Sequence, residues 1–462
     1  MRKFLFLSIL FVTNLVFAQT SFQGGIYNNT TWTLANSPYN ITGNVVIFPG
    51  KTLTIEPGVQ VIVDADNTFN TGNYISIEVR GSLVAQGSVN APIVFTSSDA
   101  STNQNWMGIY VKKTQGATIE MNRFILTNAF YGIYADDADG LQYNFENCIF
   151  RDNNYVFQMN SFLNFNNCIF QRNGVGVAMQ LVSGGVTAAN CNFSDNFCAF
   201  TTLASPLQLS NCTFSNNVNT IIQCSGTIDS CNFLNNENGL MDVGGFTITN
   251  SQFYSNNAGI SNISGATIAN CDFAFNGVAL RLGDACAVTN STLSENTIGI
   301  AVTGNNINQV VNNQICNNTQ YNIENLTDKN FSINANCFCE TDSTTIENLL
   351  FDGYDDISRG LMNYAIYDDS CASIVTYVTK IDLDEPASLT ELSTDFQLFQ
   401  STEFITVQAK NPIHSLQLIN AMGQVVVSAT PNKKSFTLIP SNFANGVYLL
   451  RIDGQVKRVY LN

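Results

Sequence analysis

The chain has 462 residues, 45% of them hydrophobic and 12% charged, with 35 acidic residues against 19 basic ones and a net charge of −16. So acidic a body argues against nucleic acid or anionic lipid as a partner, because both demand a basic face. It is compatible with neutral sugars, with cations, or with solubility alone.

Residues 1–18 begin Met1-Arg2-Lys3, run apolar from Phe4 to Phe17 and end Val16-Phe17-Ala18. A charged start, an apolar run and a small-residue site make a secretory signal peptide, to be set aside from the fold. No later apolar run is long enough to span a membrane, so an exported chain without a transmembrane segment is expected. Residues 19–119 read as a cap and the first coils of a solenoid. TLTIEPGVQVIV (52–63), YISIEVRGSLVAQGS (74–88) and APIVFTSS (91–98) alternate like strands and are punctuated by Gly and Pro.

Between 120 and 340 the chain repeats nearly the same seven letters. Clear copies are NCIFRDN (147–153), NCIFQRN (167–173), NCNFSDN (190–196), NCTFSNN (211–217), SCNFLNN (230–236) and NCDFAFN (270–276). Weaker ones are NRFILTN (122–128), NSQFYSN (250–256), NSTLSEN (290–296) and NNQICNN (312–318), and from Cys148 on the spacing is 19 to 23 residues. A fixed period of this size means a solenoid. Each unit holds three short apolar stretches, as around Phe145, Phe150 and Phe157, with Asn/Gly turns between them and no room for helices. The unit is predicted to be one coil of a right-handed parallel β-helix, the hand being the default for parallel crossovers.

Stacking then puts Asn128, Asn153, Asn173, Asn196, Asn217, Asn236, Asn256, Asn276, Asn296 and Asn318 in one column. Asparagine tolerates the left-handed backbone of a tight corner, and its amide both donates and accepts along a stack. A structural ladder is therefore preferred to a set of sugar ligands. The cysteine column (Cys148, Cys168, Cys191, Cys212, Cys231, Cys271) shares its place with Ser251, Ser291 and Asn313, so the position asks for a small side chain. Parallel neighbours suit disulfides poorly and no C-x-x-C pair is present, which favours reduced, buried thiols over a metal site.

Residues 341–385 form an acidic closing element in which Thr344 or Thr345 is placed to cap a short helix through Leu350. Asp352, Asp355 and Asp356 are candidate Ca²⁺ ligands, but D-G-Y-D-D lacks the EF-hand pattern and a solvated loop is the simpler reading. After a linker at 386–395, residues 396–462 give about seven short strands. Turns at Asn411-Pro412, Met422-Gly423, Pro440-Ser441 and Asn445-Gly446 mark a small β-sandwich.

Four stretches resemble known modules. Leu53-Thr54-Ile55-Glu56-Pro57-Gly58-Val59, Gly81-Ser82-Leu83-Val84-Ala85, Pro92-Ile93-Val94-Phe95-Thr96-Ser97 and Trp106-Met107-Gly108-Ile109 resemble a module common in extracellular β-helix proteins. The later units are similar to Asn-rich repeats of carbohydrate-binding and sugar-hydrolase proteins. Residues 341–371 resemble the closing element of such solenoids, where an N-x-W-G turn leads into a helix and an Asp-rich loop. Here Cys337-Phe338-Cys339-Glu340 stands in place of that Trp-Gly. The departure implies that a disulfide from Cys371 to Cys339, or to Cys337 as the alternative, replaces the tryptophan packing, which exported proteins permit. Finally, LINAMGQVVVS (418–428), IPSNFANGVYLLRI (439–452) and the closing QVKRVYLN resemble the type A C-terminal sorting domain of the type IX secretion system of Bacteroidota. That resemblance implies the type IX machinery as a partner and a secreted or outer-surface destination reached through the periplasm.

Catalysis on such a cylinder needs cooperating charges on adjacent coils, two carboxylates for a glycosidase or a base with a cation for a lyase. The outward column Tyr134, Gln158, Ala178, Thr201, Ile222, Met241, Ser261, Arg281, Ala301 carries one base and no acid. Arg281 with Asp284, and Asp136-Asp137-Asp139 as a Ca²⁺ cluster, are the best site candidates, each set against a plain solvated charge. The only histidine, His414, falls in the tail. No cofactor is expected beyond such a Ca²⁺ ion. The expectation is a non-catalytic solenoid that binds a polysaccharide or cell-surface glycan, or mediates adhesion. The alternative is a polysaccharide lyase or glycoside hydrolase acting on one face.

Overall fold

The computed structural model describes residues 19–65, 74–99, 105–136, 140–179, 184–202, 206–306, 308–365, 367, 368, 371, 396–400, 405–420, 425–438, 446–453 and 455–461. The signal peptide, the linker 386–395, Asp137 and Asp139 lie outside them. The chain divides into two compact units, residues 1–383 and 384–462.

One coil explains the first unit. Gln142–Glu146 alternates so that Tyr143 and Phe145 are buried, Ile149–Arg151 buries Phe150, and Tyr155–Gln158 buries Phe157. Three short strands close a loop around one apolar centre, and each pairs in parallel with its counterpart one coil later. The three strands are called here the first, second and third of a coil, and their outer surfaces faces one, two and three. Fifteen rungs stack on face three, from Gly24–Ile26 to Leu350–Phe351, a right-handed parallel β-solenoid about 70 Å long at ~4.8 Å per rung. The core is a set of columns. Phe150, Phe170, Phe193, Phe214, Phe233, Phe253 and Phe273 stack with successive ring centroids 4.5–4.9 Å apart, the same interval as the strands.

The corner between the second and third strands carries the asparagine column. Asn236 Oδ1 accepts from the backbone N–H (2.9 Å) and the Nδ2 (3.0 Å) of Asn217, while Asn236 Nδ2 donates to Phe214 O (3.0 Å) and Asn256 Oδ1 (3.0 Å). The same linkage runs from Asn153 through Asn173, Asn196, Asn217, Asn236, Asn256, Asn276 and Asn296 to Asn318, which ends it by donating to Asn322 Oδ1. Two details differ from the sequence reading. The left-handed residue is the one before each ladder asparagine, for example Asp152 (φ 57°), Arg172 (φ 53°) and Phe275 (φ 59°). Asn128 is itself such a residue (φ 63°), so Ala129 takes the column position and donates its N–H to Asn153 Oδ1. The weakest repeat is thus offset by one.

The cysteine column is a second, weaker ladder. Cys231 Sγ donates to Asp229 O, Cys231 N–H donates to Ser251 Oγ (3.1 Å), and Ser291 N–H donates to Asn313 Oδ1 (3.0 Å). The position therefore selects a small polar atom that turns back to its own strand and accepts from the preceding coil. Its residue ahead, almost always asparagine, supplies the other left-handed corner, as at Asn147 (φ 53°) and Asn270 (φ 55°).

At the closing end, helix Ser343–Asn348 is capped by Asp342, whose carboxylate accepts from Thr345 N–H and Oγ1 (both 2.9 Å). The cap is therefore not Thr344 or Thr345, and Leu350 already belongs to the next strand. The expected Cys339–Cys371 bridge is also corrected. Cys337 pairs with Cys371 (Cα–Cα 5.4 Å) and Cys339 pairs with Cys316 (5.7 Å). Cys316 lies 23 residues before Cys339, one coil back, where the left-handed turn at Cys339 (φ 59°) allows the two to meet.

Among its described residues the second unit has seven antiparallel strands in two sheets. Phe396–Gln400, Ile405–Ile413 and Lys433–Leu438 form one. Val425–Ala429, Leu416–Asn420, Gly446–Ile452 and Gln455–Leu461 form the other.

Two outcomes follow for mutation and mapping. Asn236→Ala strips partners from Asn217, Phe214 and Asn256, each buried, at about 1–3 kcal/mol per orphaned group. Its thermal midpoint should fall by many degrees, whereas Cys231→Ser should stay close to wild type, since serine already fills this column one coil later, at Ser251. Peptide mapping without reductant should recover Cys316–Cys339 and Cys337–Cys371.

Candidate functional site on face three

Side chains that point inward are fixed by the columns, so ligand chemistry has to come from outward positions. On face three the outward register runs Glu78, Tyr110, Tyr134, Gln158, Ala178 and on through Met241 and Ser261, with Arg281, Ala301, Glu324 and Phe351 continuing it. The sequence reading entered this column at Tyr134 and left it at Ala301, and so missed one acid at each end. Ser76-Ile77-Glu78-Val79 and Gly108-Ile109-Tyr110-Val111 repeat the in–out order of Gly132-Ile133-Tyr134-Ala135, a signal present in the letters.

The early coils carry the richest surface. Tyr110 and Tyr134 stack at 4.5 Å with planes 5° apart, because they are register partners one rung apart. Tyr131 lies 5.2 Å from Tyr134 and 5.4 Å from Tyr155, Phe130 meets Tyr131 edge-on at 4.6 Å, and Tyr74 stacks on Phe130 at 6.0 Å. Six contiguous, half-buried rings result. Their rim is charged: Arg80 Nε donates to Glu78 (2.8 Å), and Lys112 lies over the Tyr110 ring (4.5 Å) and 3.7 Å from Asp136.

The electrostatics fix protonation states. Burial first, then the neighbouring Tyr110 and the Glu78 carboxylate, push the Tyr134 phenol well up, so it is a neutral hydroxyl that donates and accepts. The hydrogen bond with Tyr110 raises Lys112. Burial pushes the Asp136 carboxyl up, but hydrogen bonds from Thr114 Oγ1 (2.6 Å) and the Lys113 N–H (2.8 Å), with the charge of Lys112, outweigh it and hold it below the usual range.

The sequence candidates are thereby sorted. Asp136 belongs to this rim and is paired with Lys112, while its proposed companions Asp137 and Asp139 lie outside the described residues. Arg281 and Asp284 make no ion pair, and Asp284 Oδ1 instead accepts the Asn306 N–H (3.0 Å). Arg281 acts on Glu324 across Ala301. Burial raises the Glu324 carboxyl, and the charges of Arg281 and Arg359 lower it in part. Ala301 is fully buried although it sits in an outward column, so longer neighbours close over it. Asp352 is buried and accepts the N–H groups of Tyr354 (2.8 Å) and Met362 (2.7 Å). Asp355 accepts the Asp352 N–H, and Asp356 accepts from Ser358 and pairs with Arg359. These three carboxylates build the closing loop and do not converge. Among the described residues the group whose ligand atoms lie together is Cys316, Cys339 and Cys371.

Comparison with known proteins places the two ends of the chain. Residues 24–139 match the pectate-lyase-like β-helix domain, and residues 401–460 match the secretion system C-terminal sorting domain. A 95-residue stretch, 20% of the chain, is 33% identical to Protein bark beetle of Drosophila melanogaster, of which the chain spans 3%. Among solved structures, the A-module of an Azotobacter vinelandii mannuronan C-5 epimerase is 14% identical over 57% of this chain and 85% of its own, with a TM-score of 0.41. A tailspike capsular polysaccharide depolymerase from an Acinetobacter baumannii bacteriophage is 11% identical over 88% of this chain and 72% of its own, with a TM-score of 0.24. These structural likenesses are of fold and bring no activity with them. No helix among the described residues is long and apolar enough to cross a membrane. The chain is an exported β-solenoid, carrying a pectate-lyase-like β-helix domain followed by the sorting domain through which type IX secretion delivers proteins to the cell surface or beyond.

Proposed function

We propose that the exported solenoid is a non-catalytic carbohydrate-binding or adhesion protein that holds a polysaccharide or cell-surface glycan on face three of its early coils. The observation that carries this reading is the contiguous patch of six aromatic rings around the Tyr110–Tyr134 stack. Such a patch offers apolar ring surface and phenol hydroxyls side by side, matching the mixed C–H and hydroxyl surface of a sugar. Its rim charges are spent on one another, Glu78 on Arg80 and Asp136 on Lys112, which supports holding a ligand rather than breaking it. Export puts the patch where glycans are met.

A second reading has its own observation. Arg281 and Glu324 flank Ala301 in one outward column, and burial keeps the Glu324 carboxyl protonated to higher pH than usual. A carboxyl that can serve as the base, beside a guanidinium cation, is what a lyase needs.

A glycan array on the purified protein, run beside reducing-sugar and unsaturated-uronate assays, separates the two. Binding without turnover is expected, and the Tyr110→Ala/Tyr134→Ala pair should weaken it about tenfold or more while leaving the thermal midpoint near wild type. Turnover that vanishes in Glu324→Gln would establish the enzyme reading instead. For the tail, removing residues 384–462 should leave the solenoid's melting nearly unchanged and trap the protein in the periplasm. Normal surface delivery of the truncated chain would contradict the sorting role.

A further inference from the structure

Thirteen cysteines divide into two populations that the same sequence motif conceals. Nine are free and buried in the solenoid. Those of the ladder column are held apart by identical orientation, each thiol donating to a carbonyl two residues back, as Cys168 does to Asn166 and Cys191 to Ala189. The other four arrive from different directions at one place. Cys316 ends the strand Gln314–Cys316, Cys337 lies in Asn336–Cys337 on the next coil, Cys339 follows at a left-handed turn, and Cys371 returns after the acidic loop.

In the oxidised chain these four make two disulfides, Cys316–Cys339 and Cys337–Cys371. The bridges are not separate staples. Cys371 Sγ lies 3.4 Å from Cys339 Sγ, and the sulfurs of Cys316, Cys339 and Cys371 all fall within 4.8 Å of one another, with Cys337 bonded to the third. Four thiolates around a tetrahedral Zn²⁺, at about 2.3 Å each, sit about 3.8 Å apart. The cluster therefore brings four potential ligands to one place, three with their sulfurs already grouped and the fourth, Cys337, bonded to Cys371. Gln314 Nε2 points at Cys339 Sγ (3.5 Å), the kind of donor that steadies a thiolate, and the site is partly open, since Cys339 is exposed.

We propose that Cys316, Cys337, Cys339 and Cys371, once reduced, form a binding site for one soft divalent cation of the Zn²⁺ class at the closing end of the solenoid. A dithiol or phosphine reductant delivers two electrons and two protons to each disulfide, giving four thiols. The cation then displaces their protons and gains four sulfur ligands. The closing element is thereby tied to the last coils in either state, by disulfides when oxidised and by metal when reduced.

Cadmium is the direct probe, because its thiolates absorb in the ultraviolet. Titrating Cd²⁺ into the full chain reduced with a phosphine, and into the same chain left oxidised, should show a charge-transfer band that saturates at one equivalent only after reduction. Metal content after desalting should agree, and the thermal midpoint of the reduced chain should rise on loading. Cys371→Ser, beyond the stacked rungs and so harmless to their folding, should weaken the site at least about tenfold. Cys148→Ser should leave it unchanged. Absence of a one-equivalent band in the reduced chain would overturn the proposal. So would a band that persists in both Cys371→Ser and the Cys316→Ser/Cys339→Ser pair, since it would belong to the buried thiols.

Discussion

The solenoid depends on one recurring requirement: at each tight corner the backbone turns away from the strand ladder while remaining buried, and its polar groups still need partners. The side chain of each ladder asparagine meets that need by accepting from the coil before and donating both to it and to the coil after. An unpaired buried amide or carbonyl costs about 1–3 kcal/mol, and nine successive corners would otherwise carry several each. The ladder also fixes register. A coil shifted by one residue would present Asp152 or Arg172 where Asn153 or Asn173 belongs, and the phenylalanine stack would fall out of line at the same time. Corner chemistry and core packing therefore specify the same alignment, which is the consistency a folding sequence needs.

The left-handed residue ahead of each ladder asparagine shows how strongly that corner is determined. Aspartate, arginine, serine, phenylalanine and glutamate all adopt positive φ there, although such a conformation costs an ordinary residue about 1–2 kcal/mol. The hydrogen bonds around the next residue outweigh that cost, so the identity of the strained one is free. At the other corner the ladder atom is a thiol or hydroxyl, a weaker acceptor, and there the left-handed residue is almost always asparagine. Where the ladder is weak, the sequence keeps the residue that suits the backbone.

This division explains which parts were legible in the letters. Inward positions repeat because identical neighbours must stack, so period, coil, core columns and ladder could be read directly, as could the tail from its turn residues. Outward positions have no such constraint. Glu78, Tyr110 and Lys112 lie in coils whose turns differ in length from the later ones, so only the local in–out alternation, and not the seven-letter repeat, points to their meeting Tyr134 and Asp136. Glu324 was missed for the same reason at the far end. NRFILTN imitates the motif and so points to Asn128 as the ladder residue, yet its corner lies one residue later, with Ala129 in the column. Arg281 and Asp284 are close in sequence, whereas on a solenoid the neighbour that matters is about twenty residues or more away, as Glu324 is two coils on.

Cysteine gives the sharpest case of position deciding chemistry. In the ladder column, neighbouring thiols come from the same place in successive coils, so their side chains run parallel and each finds a carbonyl of its own strand. They remain separate however oxidising the surroundings, because burial excludes any partner arriving from elsewhere. Cys316, Cys337, Cys339 and Cys371 occupy unlike positions, on two strands, a left-handed turn and a returning loop, and unlike positions can converge. The motif that made a cysteine recognisable as part of the ladder thus marks it as inert. Departure from the motif, at Cys337-Phe338-Cys339, is where sulfur becomes available for bonding to sulfur. By the same argument, cysteines of this solenoid pair where the repeat breaks, because there they come from unlike positions.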